Sequence, residues 1–181
     1  MSLVDKATQF IALKHDGQTR RGLDIPYSTH LFGVARILKT ANFSEEIVIA
    51  GLLHDIFEDS DATEQEIEQQ FGMNVLQIVK AISIPDKSIP WRERKQQSID
   101  RVKSLSDEEA AVCIAEKIQN LRAMDYVIRL HGEEKWYGNS ANKNDQIWFY
   151  KSYLEEIKLY HPNNRLYQEL ERSIHKLYSI V

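Results

Sequence analysis

An apolar run ends abruptly in His54-Asp55 and, after Ile56 and Phe57, in Glu58-Asp59. Charged groups at the end of an apolar helix are expensive to bury without partners. A divalent cation would meet that cost, because imidazole nitrogen and carboxylate oxygen are ordinary ligands for one. If the helix continues past His54, Glu58 follows His54 by four residues and Asp55 by three, so these side chains share a face. Taken alone, the pattern fits a helix C-terminus with solvated acids better than a metal site, since short motifs have many accidental matches.

Two other segments carry residues of the same chemistry. Pro26-Tyr27-Ser28-Thr29-His30 begins a helix and sets a histidine beside an apolar face. By itself His30 also fits a core histidine or a cap. Ala115-Glu116-Lys117-Ile118-Gln119-Asn120-Leu121-Arg122 places charged and amide groups inside an apolar helix. Alone, that segment fits a solvated stripe with its arginine at the surface.

The elements that must position these residues read as helices throughout. Apolar spacing predicts helices over 2–15 and 28–40, separated by a loop marked by Gly17 and by Gly22 to Pro26. Ser44 is a suitable N-cap for a third helix that runs into His54-Asp55. That helix is apolar on most sides, which places it centrally. Thr63-Glu64-Gln65-Glu66 has capping-box spacing and opens a helix ending near Phe71-Gly72. Another follows through Val75, Ile78, Val79 and Ile82, then a loop over 84–90. Helices are expected over 91–103, 106–130, 143–160 and 163–178, with 132–142 polar and irregular.

Composition supports this reading. The chain has 181 residues, of which 43% are hydrophobic, enough for one domain with a sizeable core. Seven Gly and four Pro favour long helices over a strand-and-turn architecture. A net charge of −4 argues against a nucleic-acid partner, while leaving room for a small anionic substrate beside local cations. The single cysteine, Cys113, excludes an intrachain disulfide and sits in an apolar run, where a buried thiol is expected. No run is apolar enough to span a bilayer and no signal-peptide pattern opens the chain, so a cytoplasmic location is expected, with no membrane partner.

In their order, these segments resemble the HD phosphohydrolases, and within them the RelA/SpoT-type alarmone hydrolases. The matching stretches are His15 to Arg21, Pro26 to His30, Ala50 to Asp55 with Glu58-Asp59 and Phe71-Gly72, Trp91-Arg92-Glu93-Arg94-Lys95, and Ala115 to Arg122. The resemblance covers roughly residues 3–155. It implies an all-α HD-domain helical bundle, with residues 1–181 as a single domain.

The implied activity is metal-dependent hydrolysis of a nucleotide polyphosphate, most specifically removal of pyrophosphate from the 3′ position of guanosine 3′,5′-bis(diphosphate). The resemblance makes His30, His54 and Asp55 metal ligands and Mn2+ the expected divalent metal. The family completes its site with a second aspartate. Here that position is Glu116, an oxygen donor one methylene longer, expected to ligate directly or through water. Glu58 and Asp59 match the pair that assists water activation and proton transfer. Arg20 matches a base-stacking arginine, Arg21 adds a neighbouring cation, and Asn120 matches a position near the sugar. Lys143 and Tyr150 fall in a segment that closes the pocket in single-domain relatives, where both would reach phosphate. Read without the resemblance, Arg20 and Arg21 form a basic loop, Asn120 is a structural hydrogen-bonder, and the aromatic residues around Tyr150 are core. Two alternatives stand beside the implied activity. One is an HD phosphohydrolase for another nucleotide or phosphorylated metabolite. The other is a non-catalytic nucleotide-binding module whose metal site has decayed at Glu116.

Overall fold

Seven consecutive residues, Ile47 to Leu53, are buried, which is why the sequence shows no polar stripe there. They form most of helix α3 (Glu45–Leu53), which packs against α1 (Leu3–Lys14), α2 (Ser28–Thr40), α6 (Met73–Ile82) and α8 (Asp107–His131). A helix enclosed by four others has no solvent face, so apolar residues suit every side of it. Around this axis lie α4 (Ile56–Asp59), α5 (Glu64–Phe71), α7 (Trp91–Arg101), α9 (Glu133–Tyr137), α10 (Lys143–Tyr160) and α11 (Tyr167–Tyr178). The computed structural model describes residues 1–20, 22–84, 88–137 and 141–178. Among them there is no strand, and a lone antiparallel bridge joins Thr19 to Pro26. The architecture is the all-α helical bundle expected from the sequence.

Three helices begin with reciprocal capping boxes: Ser2 with Asp5, Thr63 with Glu66, and Ser106 with Glu109. Each satisfies backbone N–H groups that the first turn leaves without partners. Ser44 is the N-cap of α3, but its side chain makes no cap hydrogen bond.

The structure departs from the sequence reading in four places. The helix entering the acidic motif does not run through it: α3 stops at Leu53 and α4 restarts at Ile56. The stretch 132–142, expected to be irregular, contains α9, whose Trp136 is buried. The helix expected over 91–103 closes at Arg101 and tightens into a 3₁₀ turn, Val102–Ser104. The last helix begins at Tyr167 rather than near residue 163, because residues 161–166 form capping turns.

The crossing of α2 and α3 depends on a missing side chain. A Cβ on Gly51 would collide with the Cδ1 of Leu38 and come within 3.4 Å of Val34 Cγ1. Leu38 and Val34 are fully buried, so relief requires repacking the core. Gly51→Ala is therefore expected to lower stability by about 1–3 kcal/mol, despite the higher helix propensity of alanine. Urea unfolding followed by circular dichroism checks this; an unchanged midpoint would mean the helices separate without cost.

Candidate metal centre

α2 and the end of α3 bring two imidazole rings face to edge, with centroids 5.0 Å apart. His30 is 2% exposed and His54 is 6% exposed, so solvent does not satisfy their nitrogens. His54 Nδ1 lies 2.8 Å from the carbonyl oxygen of Gly51, a group that only accepts, so Nδ1 carries the proton. His30 Nδ1 lies 2.5 Å from Gln119 Oε1. Arg20 donates to the same oxygen at 3.3 Å, which fixes the amide orientation and makes His30 Nδ1 the donor. In the neutral form each ring turns its Nε2 lone pair toward the other, and the two Nε2 atoms lie 3.2 Å apart.

The Asp55 carboxylate joins them. Its Oδ2 lies 3.0 Å from His54 Nε2 and 3.7 Å from His30 Nε2. Neighbouring side chains on an unbroken helix diverge by about 100° around the axis. The break between α3 and α4 puts Asp55 at φ −99, ψ 5, outside regular helix, and its carboxylate makes no cap bond to α4. The Tyr27 hydroxyl donates to Oδ2 at 2.6 Å and aims the carboxylate.

One donor atom from each of His30, His54 and Asp55 lies within 4.8 Å of the other two. Two lone pairs and an anion converging in a buried space require positive charge. Without a cation, the Asp55 carboxylate favours a proton on His54, in the place a metal ion would take. Burial pushes the His30 ring well below its ordinary range, with Arg20 and His54 adding to the effect. Burial opposes a charge on His54 as well, but the Asp55 carboxylate outweighs it and raises the ring. Burial also opposes ionisation of Asp55, yet His54 holds its carboxyl far below the usual range. The donor set of nitrogen and oxygen fits a divalent transition metal.

Residues matching an HD domain family profile run from 7 to 135 and contain every element of this centre. The chain belongs to the HD domain family. A guanosine-3′,5′-bis(diphosphate) 3′-pyrophosphohydrolase, MESH1, of Danio rerio is 37% identical over 123 residues, covering 66% of this chain and 68% of that protein. The bifunctional (p)ppGpp synthase/hydrolase SpoT of Escherichia coli K12 is 38% identical over 91 residues, covering 50% of this chain and 13% of that protein. A solved structure described as a metazoan ortholog of SpoT superposes with a TM-score of 0.82 at 24% identity, covering 99% of this chain and 98% of that one; at this identity the likeness speaks for the fold.

The other residues singled out from the sequence fall into three groups. Glu58 and Glu116 line the same cavity as His54 and Asp55. Burial raises the Glu58 carboxyl, and its Oε1 accepts the Ile84 N–H at 2.8 Å. Glu116 stands outside the three-donor cluster, with its oxygens bonded to Lys117 and to Asn120. Burial works against its charge, but Lys117 and then Lys95 keep it ionised. Asp59 is anchored by its backbone, whose carbonyl accepts from Gln18 Nε2 at 2.6 Å.

Arg20 and Asn120 bond directly to each other, so the guanidinium folds inward over the Tyr27 ring, 5.7 Å from its centre. Arg21 lies outside the described residues. Lys143 and Tyr150 are not among the residues lining the cavity. Lys143 Nζ pairs with Glu133 at 2.6 Å on the exposed surface. Tyr150 is buried between the rings of Phe149 and Tyr178. Cys113, expected in the core, is half-buried and lines the cavity; burial pushes its thiol up to about 11.

Tyr27 and Gln119 fall within the sequence motifs, but the sequence alone shows no task for either. Their roles depend on contacts 28 and 89 residues away along the chain, which no local pattern displays. Gln119 also packs on Gly33, where a Cβ would lie 2.8 Å from its Cγ. Outer partners of ligating histidines typically govern metal affinity by about 10–100-fold. Gln119→Leu is expected to weaken metal retention by that order, and Gly33→Ala to weaken it in the same direction by dislodging Gln119. His54→Ala and Asp55→Ala should abolish retention with helicity intact. Elemental analysis of the purified variants checks all four; full occupancy in the last two would remove the metal assignment.

Proposed function

We propose that this HD domain protein is a divalent-metal-dependent hydrolase of nucleotide polyphosphates, and that its substrate is guanosine 3′,5′-bis(diphosphate), cleaved to release pyrophosphate from the 3′ position. Residues 1–181 act in this reading as one HD phosphohydrolase domain. The observation that carries it is the convergence of His30, His54 and Asp55 donor atoms within 4.8 Å. The relatives that carry this activity in their names supply the substrate.

The phosphate ester resists attack because its oxygens repel a nucleophile. A divalent cation, with Mn2+ as the proposed metal, would supply Lewis-acid chemistry there, toward a phosphate oxygen and toward water near neutral pH. His30, His54 and Asp55 would hold it, with Glu116 as a fourth oxygen donor, directly or through water. Glu58, whose carboxyl is raised by burial, takes the proton of the attacking water. Asp59 assists proton delivery to the 3′ oxygen. The water oxygen forms the new bond to phosphorus, the bond from phosphorus to the 3′ oxygen breaks, and pyrophosphate leaves. Arg20 and Asn120 hold the nucleoside end, the arginine turning from Asn120 to stack on the base. Arg21, Lys143 and Tyr150 are proposed as further phosphate contacts on the family resemblance; Lys143 would have to leave its pair with Glu133 to make one.

A competing reading, a nucleotide-binding module without turnover, draws on the position of Glu116 outside the three-donor cluster. A nucleotide panel with Mn2+ separates the two. Pyrophosphate release from guanosine 3′,5′-bis(diphosphate), abolished by chelation, is the expected result. Nucleotide binding with neither bound metal nor turnover would favour the module.

Two variants probe the roles. Glu116→Ala should raise the Mn2+ concentration for half-maximal activity by on the order of tenfold, as loss of one donor or its water bridge implies. Glu116→Asp should lower it, because the shorter side chain holds the metal with less rotamer freedom. Superimposable activity curves against free Mn2+ would place Glu116 away from the metal. Arg20→Ala should raise KM for the guanosine nucleotide while leaving metal content near wild type; unchanged kinetics would return Arg20 to a structural role.

A further inference from the structure

The Trp91–Lys95 segment is the stretch of the sequence motif that the metal centre leaves without a task. It opens α7, and the structure turns one face of that helix toward the metal centre. Arg94, Lys95 and Ser98 line the same cavity as His54, Asp55 and Glu58, and Lys117 of α8 joins them. Arg94 and Ser98 are one helical turn apart, which sets their side chains on a common face.

The cations of this cavity are not fully used by the protein. Arg94 donates through Nε to the Ile89 carbonyl at 3.2 Å, and among the described residues no carboxylate pairs with its terminal nitrogens. Lys95 is half-buried, with Nζ 4.8 Å from the centre of the Phe149 ring and 5.9 Å from that of Trp91. Among the described residues no ion pair meets it. Lys117 pairs with Glu116 and lies over the Tyr153 ring at 5.1 Å. Lys95 feels the Glu116 and Glu58 carboxylates across the cavity but contacts neither, which leaves its ammonium free to meet an anion there. Three cations, Arg94, Lys95 and Lys117, face three carboxylates, Asp55, Glu58 and Glu116, in one cavity. A divalent cation at the ligands makes that space net positive, which suits a multiply charged anion.

Arg20 and Asn120 are absent from this lining, so the cavity offers anion contacts distinct from those of the nucleoside end. We propose that Arg94, Lys95 and Lys117 form a diphosphate subsite, which grips the distal phosphate of the departing group and selects a diphosphate over a monophosphate. The forked guanidinium suits two phosphate oxygens and the ammonium groups act as point charges. The proposal rests on the phosphohydrolase reading above, but its binding claim is separately measurable.

The test is calorimetric binding of inorganic pyrophosphate and of inorganic phosphate to the Mn2+-loaded protein, beside inhibition of nucleotide turnover by both. Lys95→Met keeps the aliphatic packing on Phe149 and Trp91 and removes the charge. It should weaken pyrophosphate binding by on the order of tenfold or more, as loss of one charge-assisted contact implies, and phosphate binding by less. Lys95→Arg should restore most of the loss. Arg94→Lys keeps charge without the fork and should weaken pyrophosphate in the same direction. Equal pyrophosphate affinity in wild type and all three variants, at equal metal content and Tm, would overturn the subsite. If the guanosine nucleotide is not hydrolysed while pyrophosphate affinity still falls in Lys95→Met, the subsite stands and the substrate assignment fails.

Discussion

Two imidazole Nε2 atoms face each other at 3.2 Å beside a carboxylate inside an apolar bundle. In a low-dielectric interior such an arrangement is repulsive unless positive charge lies between the groups. Proton placement enforces it. The Gly51 carbonyl and the Gln119 amide oxygen each claim an Nδ1 proton, so neither ring can turn its N–H inward while it stays neutral. The tautomers, and with them the capacity to hold a cation, are fixed by the acceptors behind the rings.

The helices around this point meet its geometric demands. α3 is buried along nearly its whole length, which lets it deliver His54 into the interior without exposing backbone. Its interruption before α4 brings the adjacent Asp55 carboxylate back toward the same point. α2 supplies His30, and α8 supplies Gln119 behind that ring and Glu116 beside the cavity. The residue loop before α2 is stitched by backbone bonds from Arg20 to Ile25 and from Tyr27 to Gln18, both 2.9 Å. That stitching holds Arg20 and Tyr27 against the centre, although no regular element contains them.

Charge is distributed unevenly around the centre. On one side Arg20, Asn120 and Glu116 form a hydrogen-bonded chain. On another, the cations of α7 and Lys117 approach the same carboxylates across a cavity. Glu116 belongs to both, because it bonds Asn120 and pairs with Lys117. Its two carboxylate oxygens divide between them: Oε1 accepts from Asn120 and Oε2 meets Lys117.

The sequence by itself determined the helical class, the central place of the 45–53 helix and the capping box at Thr63, and it singled out His30, His54 and Asp55, whose donor atoms the fold brings within 4.8 Å of one another. These are local matters: periodicity, caps and ionisable groups at the edge of an apolar run are all visible within a few residues. The tertiary structure decided what depends on contacts distant along the chain. It broke the helix at His54-Asp55, assigned Gln119 and Tyr27 to orient ligands, set Lys143 in a surface pair with Glu133, and turned Arg94 and Lys95 toward the metal centre. Hydrogen-bond partners and cavity walls are made by helices meeting, and one chain read in order does not reveal which residues will meet.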